Sequence, residues 1–590
     1  MTKNLNYIKK YHFPLVFVIS AVLLCIRAQY GYSFNDEPFI VSLAQRLSHG
    51  ASLIVDEWNF GQNFGVILLP LYKLYIACFG STEGILLAFR MVYCMLWAFT
   101  CTVIYWVLSR KFTGGFFVFC YLLLFSPLDQ MTLSYTSISL MCCLAIAALF
   151  FYHLEIHQLS YPLFTTIFTV LSVIVAVSLP FLAFAYALVV LLSIGMYLTK
   201  KTEFTRFFVK VTLTSCVFAA GIAAVYLYYF VLRNYPLAVI FENISNMFSS
   251  MAVAKAGSTS KFITYVQWLT TAYRTYEIVL LASILAAQLS PVRKLPELKA
   301  LLFLVDAAFF ALELYKQVQL RYDALFNYQM VPIVFLGIAA FFMLDSKKKY
   351  KMLFICFTVW GIFYSLFYHL SSDTSAMGIS MGFSVAGVAS IVYITALYQE
   401  WKLYFYKKFQ NYPFKKLLVS VVAVAFSGII AGQLVCQIIL KTERHYWDVP
   451  LRYMTNTIEI GSAKGIKTDP SNKAMYEFET MSMQNLLTNV DHVEKQQIKF
   501  LSLVSSPVLY LDADLPIGSF SSWTFMRDQE LLVWKMNLYY SINPSQIPNV
   551  IFCRTEDDTI EKVAFDLSQY RQFTDGIYSL YVSNILTSAS

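Results

Sequence analysis

Charge is scarce in this chain. Asp, Glu, Lys and Arg make up 13% of the 590 residues, against 58% hydrophobic ones, and the mean hydropathy is +0.59. A soluble globular protein carries roughly 25% charged residues, so that class is excluded. Disulfide chemistry is also missing where it would matter. Of the 11 cysteines, only Cys553 lies in the one long water-compatible stretch, and a single cysteine cannot close an internal bridge. The others sit in or beside apolar segments as small hydrophobes. An exported domain without disulfides suits a bacterial cell surface. No small-x-small cleavage site follows the first apolar run, so Lys3, Lys9 and Lys10 precede a retained helix rather than a removed signal peptide. No internal repeat of the inverted-transporter kind is visible.

What is present is a succession of apolar segments, each long enough to cross a hydrocarbon layer of about 30 Å. Thirteen are expected, at 13–29, 84–108, 113–127, 131–152, 161–178, 181–199, 211–232, 275–290, 300–315, 328–344, 352–369, 377–398 and 417–440. Basic residues cluster at Lys9-Lys10, Arg110-Lys111, Lys200-Lys201, Arg293-Lys294, Lys347-Lys348-Lys349 and Lys407-Lys408. With thirteen spans every cluster falls on one side, which is then cytoplasmic. The N-terminus is expected inside, and residues 441–590, which lose the hydropathy, form an exported domain. The net charge of +9 therefore reflects topology and does not indicate a nucleic-acid partner.

Two stretches organise the outer side. In the loop 30–83, Phe39, Ile40, Leu43, Ala44 and Leu47 recur at helical spacing between Pro38 and Gly50, which predicts a short amphipathic helix. Phe64 to Phe79 is apolar but contains Pro70 and Lys73. Spanning here would put every later basic cluster outside, so this stretch is expected to lie in the interface or re-enter. Beyond residue 441, apolar runs at 500–504, 508–511 and 550–552 alternate with helical patterns at 474–490, 528–540 and 559–571. That alternation predicts a small α/β domain.

Charged residues at a membrane edge are functional candidates because they are costly to keep there. Asp36-Glu37 follows the first apolar segment. Then come Asp56-Glu57-Trp58, Gln62, Pro70-Leu71-Tyr72 and Gly80, with Arg90 in the next helix. This series resembles the first external loop of GT-C glycosyltransferases, such as the protein O-mannosyltransferases and the bacterial lipid A aminoarabinose transferases. The resemblance covers about residues 1–110 and is topological beyond. It departs where those enzymes have Pro-Pro-Leu and this chain has Gln62-Asn63-Phe64-Gly65. Arg321-Tyr322 with Pro332 is similar to their Arg-Tyr-x-x-Pro run at a wider spacing.

The resemblance implies an α-helical polytopic membrane domain over 1–440 and an enzyme in a bacterial plasma membrane; hydropathy and pattern add the exported α/β domain over 441–590. The implied reaction is inverting transfer of a sugar from a polyprenyl-phosphate donor to a glycan, lipid or protein acceptor of the envelope. No divalent metal or other cofactor is implied. Such chemistry needs a base for the acceptor hydroxyl and cations for the leaving phosphate. Asp36 is the candidate base, with Glu37 orienting it or a sugar hydroxyl. The bland alternative makes both helix-start acids stabilised by the dipole. Asp56, Glu57, Gln62, Arg90, Asp129, Lys316, Arg321 and Tyr322 are candidates for donor or acceptor binding. For Arg90 a structural ion pair is the alternative, and for Arg321 snorkelling.

Three other features read as structural. Asp306 is a mid-helix carboxylate that must face other helices or water. His153 and His157 have a metal-like i, i+4 spacing but no third ligand. Asp512-Ala513-Asp514 imitates a nucleotide-sugar metal motif in an unsuitable domain. Two rival functions stay open: a transporter or flippase of lipid-linked glycans, and a non-catalytic envelope assembly protein.

Overall fold

The computed structural model describes residues 2–125, 130–179, 203–254, 260–289, 292, 295–320, 330–371, 377–408, 415–443, 448–504, 506–524, 529–563 and 565–587. Helix dominates it, as expected of a chain whose apolar segments must satisfy their backbone groups internally. The first helix, α1 (Thr2–Ala28), is followed by α2 (Asp36–Ser48) and α3 (Phe64–Phe79). Then come α4 (Ile85–Ser109), α5 (Gly115–Leu124), α6 (Tyr135–Glu155) and α7 (Tyr161–Ser178). The expected span at 181–199 lies outside the described residues. Helix α8 (Glu203–Leu227) runs on into a π-helical turn at Tyr228–Leu232.

Between the spans expected at 211–232 and 275–290, the described residues form two further helices, α9 (Leu237–Ala254) and α10 (Lys261–Ala272). Next are α11 (Arg274–Gln288), α12 (Pro296–Leu320) and α13 (Val331–Met343). A π-helical stretch at Phe354–Val359 leads into α14 (Trp360–Ser371), followed by α15 (Met377–Lys408) and α16 (Lys415–Glu443). Among the described residues, seven helices are long and apolar enough to cross a membrane, and four shorter apolar ones accompany them. The chain is a helical membrane-embedded protein.

Helix α15 is the hub of the membrane part: its most apolar stretch is almost entirely buried. Small residues let its neighbours approach. A Cβ built on Gly382 of α15 would lie 2.2 Å from the Gly361 carbonyl oxygen and 2.3 Å from the Ser365 backbone nitrogen of α14. Only the absence of a side chain permits that contact.

Among its described residues, the C-terminal unit holds two small sheets. Strands β1 (Asn456–Thr457) and β2 (Lys467–Thr468) pair antiparallel. The larger sheet has the order β3-β4-β6-β5, with β3 (Phe500–Ser502), β4 (Val550–Arg554), β5 (Tyr570–Thr574) and β6 (Tyr578–Ser583). The β3–β4 pair is parallel and the other two are antiparallel. Helices α17 (Pro470–Leu487), α18 (Val508–Ala513) and α19 (Gln529–Ile542) accompany it.

Two expectations are corrected. The run 508–511 is a buried helix, since four apolar residues alone do not separate strand from helix. The helical pattern at 559–571 stops after Thr559–Lys562, and Tyr570 already begins β5. The missed signal was Asp575-Gly576, a hairpin turn in which Gly576 takes a φ of 98°.

The close approach predicts a contrast between two glycines. Gly382→Ala should force α14 and α15 apart and destabilise the protein by about 1–3 kcal/mol, a typical cost of overpacking. Gly428→Ala, whose Cβ would meet nothing within 4 Å, should leave stability unchanged or slightly raised. Thermal unfolding of the detergent-solubilised variants measures both.

Candidate functional site

The geometry around Asp36 begins at the end of α1. There the chain turns at Gly31, whose φ is 93°, and its N–H donates to the Lys467 carbonyl at 2.8 Å. The Tyr32 N–H donates to Asp448 Oδ2 at 2.6 Å, so the C-terminal unit holds the segment that leads into α2. Asp36 and Glu37 occupy the first turn of α2, where the helix dipole favours negative charge. Gly65 at the start of α3 packs against the Leu43 backbone, where a Cβ would come within 2.9 Å.

The two acids have different fates. Glu37 is buried, and Arg90 of α4 grips it with two of its three nitrogens: Nε to Oε1 at 2.7 Å and Nη2 to Oε2 at 2.5 Å. Arg90 Nη1 also donates to the Ala28 carbonyl at 2.9 Å. One guanidinium thus joins the end of α1, the start of α2 and the body of α4. This is the structural ion pair that stood as the alternative for Arg90, made with the second acid of the pair. Asp36 is half-buried and lies outside that bidentate contact. Gln130, just before α6, donates its Nε2 to Asp36 Oδ2 at 3.2 Å.

The second acidic pair is framework. Arg46 Nη1 meets Glu57 Oε2 at 2.9 Å with both side chains buried, and Arg46 Nη2 donates to the Ser519 carbonyl of the C-terminal unit. Asp56 accepts from the Ser52 N–H at 2.5 Å, and from Tyr235 Oη and Gln546 Nε2, each at 2.8 Å. Burial pushes the carboxyls of Asp56 and Glu57 up from their ordinary range, while Arg46 pulls both the other way, as do the Ser52 N–H and the Tyr235 hydroxyl at Asp56. Trp58 completes the seam, with its N–H on the Phe520 carbonyl at 2.7 Å and its Nε1 on Asn243 Oδ1 at 2.9 Å. Gln62 Oε1 accepts from the N–H of Ile54 at 2.5 Å and holds that residue at a φ of 73°, rare for a β-branched side chain.

These contacts do not bring Asp56, Glu57 and Gln62 to Asp36. They bind the loop to α9 and to the C-terminal unit. Arg46 and Gln130 were missed from sequence. Arg46 flanks the apolar stripe of an amphipathic helix, seven residues after Phe39, where a cation reads as reaching out to water, and nothing local announces that a domain more than four hundred residues away will cover it.

Of the candidates proposed from sequence to hold the phosphate, Lys316, Arg321 and Tyr322, only Lys316 is described. It is exposed at the end of α12 and pairs with Glu313 at 2.6 Å. Asp129, Arg321 and Tyr322 lie outside the described residues. Asp512 accepts from the Ser462 N–H, Tyr476 Oη and Thr480 Oγ1 at 2.7, 3.1 and 2.8 Å, and burial pushes its carboxyl up. Asp514 turns instead to His49 and Lys495. The metal-motif likeness at 512–514 is thus taken up by two separate structural contacts. His153 accepts from the Leu159 N–H through Nδ1 and packs among Phe164 and Phe207. Among the described residues, no group of three or more His, Cys, Asp or Glu side chains is placed to hold a metal ion.

A second polar lane lies inside the helix bundle. Asp306, Glu313 and Gln317 share one face of α12, and all are buried. Ser283 of α11 donates to Asp306 Oδ1 at 2.8 Å, and Gln317 Nε2 reaches Tyr273 Oη at 3.4 Å. Compared with known proteins, the chain matches no protein-family model and no curated sequence. Fold and site define a helical membrane protein whose first interhelical loop is clamped under a small mixed-sheet C-terminal unit.

Two predictions follow from the ion pairs. Arg90→Ala leaves Glu37 buried and uncompensated, which should cost about 3–5 kcal/mol. Arg90→Lys should recover little, because one ammonium cannot replace a two-pronged grip, whereas the neutral pair Arg90→Gln with Glu37→Gln should recover much of the loss. Folded yield and thermal midpoint in detergent test this order. Arg46→Ala should act locally, loosening the seam between the loop and the C-terminal unit. Limited proteolysis should then cut at residues 443–470 at least tenfold faster, with the helices still folded by circular dichroism.

Proposed function

We propose that this protein is a membrane glycosyltransferase of the GT-C type, moving a sugar from a polyprenyl-phosphate donor to a cell-envelope acceptor on the outer face of a bacterial plasma membrane. The topology that goes with this reading has thirteen spans, a cytoplasmic N-terminus, an interfacial α3 and an extracytoplasmic C-terminal unit. One observation carries it: the adjacent acids are divided between two tasks. Glu37 is consumed by Arg90, while Asp36 sits half-buried at the start of α2 with its orientation set by Gln130.

In the proposed reaction Asp36 takes the proton of the acceptor hydroxyl. The acceptor oxygen attacks the anomeric carbon, the bond from that carbon to the phosphate oxygen breaks, and the polyprenyl phosphate leaves with the electron pair. Attack opposite the leaving group inverts the anomeric centre. Lys316, Arg321 and Tyr322 are the proposed partners of the phosphate. The test is transfer from a panel of polyprenyl-phosphate sugars by the purified protein. Asp36→Asn should slow transfer by about 10²–10⁴-fold, the usual contribution of a general base. Full activity in that variant would remove Asp36 from the role.

A carrier for lipid-linked glycans is the second reading, favoured by the buried Asp306, Glu313 and Gln317 lane, since transporters gather polar groups within the bilayer. Reconstituted protein that moves labelled lipid-linked sugar between leaflets but transfers none of it would decide for that reading.

A further inference from the structure

Helix α9 presents three different surfaces. Successive residues turn by about 100° around a helix, which sorts the side chains into sectors. Ile240, Asn243, Met247 and Ser250 share one sector and are buried. Leu237, Phe241 and Phe248 fall within about 40° of one another in a second sector, and they are 59%, 65% and 54% exposed. Glu242, Ser245 and Ser249 make up a third sector on the opposite flank, and they are exposed as well.

The buried sector carries the C-terminal unit. Asn243 and Asn543 exchange amide hydrogen bonds at 2.8 and 3.1 Å, and Trp58 Nε1 donates to Asn243 Oδ1. Both ends of α9 sit beside the ends of membrane helices. Leu237 follows Leu232, where the apolar span of α8 ends, by five positions. At the other end the Phe248 and Phe60 rings are 5.4 Å apart, and Gln62 Nε2 reaches Met247 Sδ at 4.0 Å. Between Phe60 and Gln62, a Cβ on Gly61 would lie 3.8 Å from the ring of Tyr135, the first residue of α6. The Leu53 N–H donates to the Phe230 carbonyl at 2.8 Å, so the segment 53–62 joins the end of α8 to the start of α6. Helix α9 lies along that segment, at the level where the two spans end.

An apolar flank beside a polar flank, both exposed, is the pattern of a helix lying in the plane of a bilayer interface. Large exposed apolar patches mark contact with a protein or a membrane, and the surroundings here select the membrane. The flank continues the apolar surface of α8, which exposes Val217, Phe218 and Val225 within its span and Tyr228 and Tyr229 at its end. Tyrosines gather at the headgroup level of a bilayer. We infer that α9 is an interfacial helix. Leu237, Phe241 and Phe248 enter the acyl boundary of the leaflet nearest the C-terminal unit, while Glu242, Ser245 and Ser249 stay in water. Asn243 then ties the C-terminal unit to a helix that floats in the membrane surface, so the phospholipid bilayer itself is the partner that sets the height of that unit. Nothing in this placement depends on sugar transfer.

The test is carbene footprinting of the unmodified full-length protein in phospholipid nanodiscs, with one diazirine that partitions into the acyl phase and one confined to water. Mass spectrometry then locates the labelled residues. The lipid-phase reagent should label Leu237, Phe241 and Phe248 about tenfold more than Glu242, Ser245 and Ser249, and the water-soluble reagent should reverse that order. Val217 and Phe218 of α8 calibrate the lipid side. Ile577, exposed in the turn before β6, calibrates an apolar side chain in water. Labelling of Phe241 and Phe248 by the water-soluble reagent to the level of Ile577 would overturn the placement, as would equal labelling of the two flanks by either reagent. Protection of Phe241 and Phe248 from both reagents would overturn it too, because a protein surface, such as a second copy of this chain, would then cover the flank.

Discussion

The buried contact between Arg90 and Glu37 is the constraint on which the outer half of the molecule depends. A guanidinium and a carboxylate withdrawn from water are tolerable only when their hydrogen-bonding groups are matched. Here two prongs go to Glu37, and the Ala28 carbonyl, at the end of α1, takes Arg90 Nη1. The consequence is positional. With α1, α2 and α4 joined at one point, the N-terminus of α2 has one place to be, and Asp36 is carried there by the helix geometry. Successive residues on a helix point about 100° apart, so anchoring Glu37 inward turns Asp36 to a different side.

A second buried pair does the same for the domain above. Arg46 and Glu57 close the loop on itself, and Arg46 extends to Ser519, while Asp56 gathers Tyr235 from the chain just before α9 and Gln546 from the C-terminal unit. Further backbone bonds run from the start of α4 into the same unit, with Gly84 on Gly461 and Leu86 on Ser462. The C-terminal unit is therefore part of the loop's framework. Under the transferase reading, it fixes the shape of the outer face before any substrate arrives, which is the preorganisation that electrostatic catalysis requires.

Much of this was legible in the chain. Apolar run length located the helices because bilayer thickness sets a length that composition must meet, and the amphipathic spacing from Phe39 to Leu47 located α2 within two residues. The partnership of Arg90 with a carboxylate followed from the cost of a cation in an apolar helix. Less legible was the division between Asp36 and Glu37, which are adjacent in sequence and chemically alike. Only the third dimension gives Arg90 to one of them. Asp56, Glu57 and Gln62 read as binding residues because they crowd a polar loop; in the structure Asp56 and Glu57 join the seam to the C-terminal unit, through Gln546 and through Arg46 to Ser519, and Gln62 holds the Ile54 N–H. Short apolar runs such as 508–511 carry no period long enough to separate strand from helix, so the C-terminal sheet was read with one strand misplaced and its final hairpin missed.

The central claim is that the Asp36-Glu37 pair is split into a reacting acid and an anchoring one. The most direct measurement compares Asp36→Asn and Glu37→Gln by single-turnover transfer per folded molecule, alongside the thermal midpoint of each. The account predicts that Asp36→Asn folds like the parent and fails to turn over, whereas Glu37→Gln loses stability while its folded fraction still transfers sugar. The reverse pattern, with a stable but inert Glu37→Gln and an active Asp36→Asn, would contradict it.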